Sequence, residues 1–148
     1  SSLSACSYSL IAAQLGKVDW AYKYFMKTAT IDLTGEGKQY VGTLYIGGTH
    51  PAGNGGAWMS AVFGLCGIHF DGENFHIDPH LPKHWQKVTI PLMVRGQKLK
   101  ITLTRDSVAV KPVEPLEANL SVSVAGSLHL LNSTAETTFS CATAAAGE

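Results

Sequence analysis

Residues 47–58, GGTHPAGNGGAW, set one histidine among five glycines just ahead of an apolar segment. Glycine lets the backbone approach a ligand closely. A helix starting after His50 would add unpaired N–H groups and the positive end of its dipole, a combination that suits an anion, phosphate above all. His50 could then contribute a charge-assisted hydrogen bond, about 1.5–3 kcal/mol. On residue types alone the plainer reading is stronger, a loop histidine satisfied by a backbone carbonyl, because a bare glycine cluster is a weak motif. Ser1, Ser2 and Ser4 open the chain, and serines at a helix start ordinarily cap it. His76, His80 and His84 recur at every fourth position in HIDPHLPKHW, a spacing that on a helix would stack imidazoles like metal ligands. Pro79 and Pro82 forbid that helix. The segment therefore reads as an extended linker that packs Leu81 and Trp85, and no metal site is expected. His69 and His129 fall within strand-like runs without evident chemistry, and no carboxylate pair stands out as general acid and base.

These groups need elements to position them. In residues 2–15, Leu3, Cys6, Leu10 and Ala13 share a helical stripe that Gly16 ends. Val18, Ala21, Tyr22, Phe25, Met26 and Ala29 form a clearer amphipathic stripe, with Asp19 in the first turn where the helix dipole favours an anion. The short link at Gly16 and Lys17 predicts an antiparallel helix hairpin. Residues 32–51 read as a long, partly buried, glycine-rich loop, and a third helix is predicted from about Gly53 to Leu65. Near residue 66 the texture changes to β. Asp71-Gly72 predicts a hairpin, VTIPLMV and KLKITLTR a second strand pair, and shorter runs follow around 107–111, 120–124 and 127–131. At least six short strands in this half imply a sandwich of antiparallel sheets. Leu99, Ile101 and Leu103 alternate with Lys98, Lys100, Thr102 and Thr104 and should line its core.

Composition excludes several function classes. The 148 residues are 45% apolar and 15% charged, with eleven basic and eleven acidic side chains. No cationic excess is left to neutralise a nucleic acid, and no run of eighteen apolar residues could span a membrane. Cys6, Cys66 and Cys141 are odd in number and far apart, which suits reduced core thiols in a cytoplasmic protein. The sequons at Asn119 and Asn132 are weak counter-signals. With no initiator Met and no signal-peptide pattern, the chain reads as cut from something longer.

In order, SSLSACSYSLIAAQLGKVDWAYKYFMKTATIDL, GTHPAGNGGAWMSAVFGLCGI and FHIDPHLPKHWQKVTIPLMVRGQKLKITLTRDSV resemble the C-terminal part of the glycoside hydrolase family 65 enzymes. That family includes maltose, trehalose, kojibiose and nigerose phosphorylases and some hydrolases. The resemblance implies an α+β chain: residues 1–65 would be the last helices of an (α/α)6 catalytic barrel, and 66–148 a C-terminal β-sandwich. It also implies inverting phosphorolysis, in which a carboxylic acid protonates the glycosidic oxygen while phosphate attacks the opposite face to give β-glucose 1-phosphate. Phosphate stands where an inverting hydrolase places its base-activated water.

The family's general acid, a Glu, lies upstream of the serine motif, so no catalytic residue is expected here and the chain alone should be inactive. Ser1, Ser2 and Ser4 match the serine segment that, with the histidine matching His50, holds phosphate, and Gly55 and Gly56 would clear space and expose N–H groups. The implied partners are an α-linked disaccharide, inorganic phosphate as co-substrate without any cofactor, and the remainder of the barrel, with room for a homodimer of the complete enzyme. Asn54 departs from the small or apolar residue expected in many members. A same-family hydrolase would need a carboxylate base near the site, and no Asp or Glu lies between Gly37 and His69, which favours the phosphorylase. A third reading, a non-catalytic sandwich module, would require Phe70, Phe75 and Trp85 to form an exposed stacking platform. Their place in alternating strands suggests core packing instead.

Overall fold

The computed structural model describes residues 4–34, 39–41, 43–46, 48–72, 74–132 and 134–141, with backbone alone for 39–41 and 44–46. Ser1, Ser2 and Leu3 lie outside the described residues. The chain divides into two compact units, Ser1–Leu65 and Cys66–Glu148.

In the first unit, α1 (Ala5–Gln14) and α2 (Val18–Ala29) are joined by a three-residue turn. The turn is a Schellman motif: Lys17 N–H donates to the Ala12 carbonyl and Gly16 N–H to that of Ala13, with Gly16 at φ +68°. Contacts of Tyr8 with Tyr24 and of Ser9 with Ala21 set the helices antiparallel. α2 carries Asp19 in its first turn and Lys27 in its last, both favoured by the dipole.

The buried stripe of α1 is displaced from the expected one. Ala5, Ser9 and Ala13 are buried, whereas Cys6 and Leu10 are half-buried. The cause is close approach: Ser9 Oγ donates to the buried carbonyl of Ala21 at 2.8 Å, so small side chains rather than long ones meet at the hairpin seam.

Within residues 32–51 a two-stranded antiparallel ladder, β1 (Gln39–Val41) with β2 (Leu44–Ile46), replaces the loop the sequence suggested. The third helix, α3 (Pro51–Met59), starts before Gly53 because Pro51 suits the first helical position. It passes into a π-helical turn, Ser60–Leu65. Glycine governs its packing. A Cβ at Gly56 would fall 2.6 Å from Cys6 Sγ, and one at Gly64 would meet Ala13 and Leu10 at 3.4–3.5 Å.

The second unit is a two-sheet structure of mixed sheet sense. One sheet runs β10 (Thr137–Ser140), β7 (Ser107–Pro112), β6 (Gln97–Leu103), β5 (Val88–Val94), all antiparallel. The other runs β3 (Ile68–Asp71), β4 (Asn74–Ile77), β8 (Leu120–Val124), β9 (Ser127–Leu131). Here β4 and β8 pair in parallel, a departure from the all-antiparallel expectation. Leu99, Ile101 and Leu103 are buried as their alternation required, with Phe75, Ile77, Val108, Val110 and Val122. Two hairpins turn on left-handed pairs, Arg95-Gly96 and Ala125-Gly126, the backbone that type I′ turns demand. Phe70 is exposed, Phe75 buried and Trp85 half-buried, so the three do not share one environment.

Candidate functional site

The first functional cluster is built around His50, the residue preceding α3. α2 ends in a tight turn in which Leu33 and Thr34 N–H groups return to the Thr30 carbonyl. Ile31 is buried there, and a Cβ at Gly53 would touch it at 3.6 Å. This packing carries the next residue, Asp32, to the head of α3. His50 N–H donates to Asp32 Oδ2 at 2.8 Å, the His50 ring meets Oδ1 through Nδ1 at 2.7 Å, and Asn54 Nδ2 donates to Oδ2 at 2.9 Å. The His50 ring bond, aided by the backbone bond, holds the Asp32 carboxyl well below the usual range, at about 2.

A carboxylate so acidic keeps no proton at neutral pH, so the shared proton resides on Nδ1, and no described residue occupies Nε2. The side chains of His50 and Asp32 keep 24% and 17% of their exposure, which leaves the pair reachable by a ligand. The positive end of α3, read from the sequence as a seat for an external anion, already receives the Asp32 carboxylate.

The remaining predicted residues are distributed around this cluster. Ser4 occupies the N-cap position of α1, half-buried, yet its hydroxyl makes no cap bond; its carbonyl accepts from Tyr8 N–H at 3.2 Å. Gly55 is exposed with open space around its Cα, while the missing side chain of Gly56 serves the contact with Cys6 of α1. That contact lies two residues from Ser4, so α1 and α3 share a neighbourhood. Asp32 and Asn54 are the residues sequence reasoning missed. The carboxylate-free interval Gly37–His69 begins five residues after Asp32, and Asn54 gains its explanation as a second donor to that carboxylate.

A helical unit presenting a carboxylate-held histidine, followed by a small two-sheet domain, defines the class. Residues 68–131, from β3 through β9, match the model of the glycosyl hydrolase family 65 C-terminal domain, and this segment belongs to that domain family. It is 40% identical over 77% of its length to a nigerose phosphorylase of Lachnoclostridium phytofermentans, covering 15% of that protein. It is 35% identical over 90% of its length to a 1,2-alpha-glucosylglycerol phosphorylase of Bacillus selenitireducens, covering 18% of it. A solved structure described as a kojibiose phosphorylase from human microbiome superposes with a TM-score of 0.78 at 22% identity, over 96% of this chain and 20% of that one. The chain thus spans a fifth or less of the length of these relatives. No helix among the described residues is long and apolar enough to cross a membrane.

Proposed function

We propose that this chain is the C-terminal part of an inverting α-glucoside phosphorylase that converts an α-linked glucose disaccharide and phosphate to β-glucose 1-phosphate. Residues 1–65 then belong to the end of an (α/α)6 catalytic barrel, and the general acid is supplied from outside this chain. His50, with Ser1, Ser2 and Ser4, contacts the attacking phosphate, and Gly55 gives the backbone room to approach it. The single observation that carries this reading is the Asp32–His50 pair. By accepting the Nδ1–H hydrogen bond, Asp32 orients the ring and leaves Nε2 for the phosphate, to whose oxygen it donates as the imidazolium. When both nitrogens carry protons, Asp32 is the counter-charge. The phosphorylase names of several relatives support the same assignment.

Asp32 is the one carboxylate brought against His50 in the described contacts, and it argues against the hydrolase reading rather than for it. Both of its oxygens are engaged by His50 and Asn54, and a carboxyl held near 2 is a poor base for activating water. The free thiols of a reducing compartment and the absence of any cationic surplus fit a cytoplasmic enzyme of sugar metabolism.

The test uses the complete reading frame. It is incubated with a panel of α-linked glucose disaccharides, with and without phosphate, and glucose 1-phosphate is assayed. Phosphate-dependent release of the β-anomer is expected. His50→Ala should lower kcat/KM for phosphate by about 10–100-fold, the loss of one charge-assisted hydrogen bond, with circular dichroism checking that the variant still folds. Glucose release indifferent to phosphate, or a variant with unchanged phosphate dependence, would overturn the assignment.

A further inference from the structure

The second unit brings together three side chains that the linear spacing gave no reason to group. β3 and β4 pair so that His69 lies directly opposite His76, and their rings stack at 4.7 Å with an interplanar angle of 10°. Asp78, one residue beyond β4, joins them: its Oδ2 is 3.9 Å from His69 Nε2, and one donor atom from each of the three residues lies within 4.8 Å of the others. We infer that His69, His76 and Asp78 form a binding site for a divalent transition cation of the zinc type.

The donor set and its supports carry this inference. Two imidazoles and one carboxylate select zinc, nickel or copper over magnesium and calcium, which prefer oxygen donors. A tetrahedral zinc ion with bonds of about 2.0–2.1 Å holds its donor atoms about 3.3 Å apart. Exposed side-chain rotations can therefore close the present spacing. The backbone beneath is already fixed. Gly67 at φ +64° turns its carbonyl to accept the Asp78 N–H at 3.0 Å, and His69 Nδ1 lies 3.1 Å from the same oxygen. With Nδ1 donating there, His69 Nε2 presents its lone pair toward Asp78, the second-shell arrangement seen around ligating histidines.

The His76 ring is itself held by a carboxylate: its Nε2 lies 2.8 Å from Asp71 Oδ1. A cation seated among these groups would therefore meet two carboxylates, Asp71 and Asp78, beside the two imidazoles. The side chains of His69 and Asp78 are 49% and 36% exposed, which gives the ion a path from solvent and leaves room for a water in an open position. Bound there, the ion would tie edge strand β3 to β4 and to the segment that follows.

The test is isothermal titration calorimetry and thermal melting of the tag-free 148-residue chain with zinc sulfate at pH 7.5, with magnesium as control. One zinc per chain is expected, raising the melting temperature by about 5–10 °C at a hundredfold excess over Kd, while magnesium does neither. His69→Gln and Asp78→Asn change exposed side chains and leave the apolar core alone; each should weaken zinc binding at least about tenfold. His76→Gln should do the same, and its circular dichroism checks that it folds. Zinc binding that is absent, matched by magnesium, or unchanged in His69→Gln and Asp78→Asn would overturn the site.

Discussion

Asp32 receives two bonds from one histidine and a third from Asn54, and this makes it the most acidity-dependent contact described. Its carboxyl falls from 3.8 to about 2 in the folded chain. A carboxylate with a depressed pKa adds stability that is full above its unfolded value and is lost as pH falls through the folded one. Acid should therefore weaken the first unit between about pH 4 and pH 2, and Asp32→Asn, scored by helical circular dichroism over that range, should flatten this part of the profile; an unchanged slope would show that the pair contributes nothing to folding.

At this scale the sequence was only partly readable. His50 could be singled out because its glycines are its sequence neighbours. Asp32 could not, because the turn after α2 delivers it from eighteen residues away. His69 and His76 escaped for a related reason. Spacing by four drew attention to His76, His80 and His84, whereas strand register joins His76 to a residue seven positions earlier. Burial also decides the thiols: it pushes Cys66 up to about 12 and raises Cys141, so neither presents a thiolate at neutral pH.

At the scale of elements, patterns that bury long apolar side chains were legible and those that bury backbone were not. Alternation in β6 and the bounds of α2 follow directly from the period of their apolar residues. In the α1 stripe Ala13 is buried as read, but Ala5 and Ser9 rather than Cys6 and Leu10 vanish into the hairpin, because small residues carry little hydrophobic signal. The short ladder of β1 and β2 was hidden by its glycines, and the parallel pairing of β4 with β8 is a tertiary choice that no local pattern encodes. Turn chemistry offers a clean stability test. Ala125 sits at φ +46° beside Gly126, in a turn where alanine is strained and Asn-Gly is the preferred pair. Ala125→Asn should stabilise the second unit by about 1 kcal/mol, seen as a higher urea midpoint with an unchanged slope; a lower midpoint would count against strain at this position.

For the chain as a whole, the two units differ in how completely they bury what they carry. The second encloses a continuous set of Ile, Leu, Val and Phe side chains. The first leaves Tyr8, Ile11, Leu15 and Trp20 more than half exposed, and with Ala12, Lys17 and Tyr24 they line a hollow of about 500 Å³. Of the amphipathic stripe read in α2, Tyr22 and Phe25 are half-buried and Met26 is 38% exposed. An apolar surface of this kind promotes association. The chain by itself should self-associate at micromolar concentration, and the double change Ile11→Lys and Trp20→Lys should raise its monomer fraction severalfold in sedimentation velocity without loss of helix signal.

The parallel pairing of β4 with β8 also sets an order of events. Phe75 must meet Val122, and the strands β5, β6 and β7 of the other sheet lie between them in the chain. Those three pair with immediate neighbours across short turns, so their loops close at little entropic cost, whereas β4 must wait for a distant partner. During synthesis the open edge of β4 stays exposed until Leu120–Val124 has left the ribosome. A chain that stalls before that point presents the open edge of β4 while the other sheet still lacks β10, the kind of intermediate that holdase chaperones bind and that aggregation exploits.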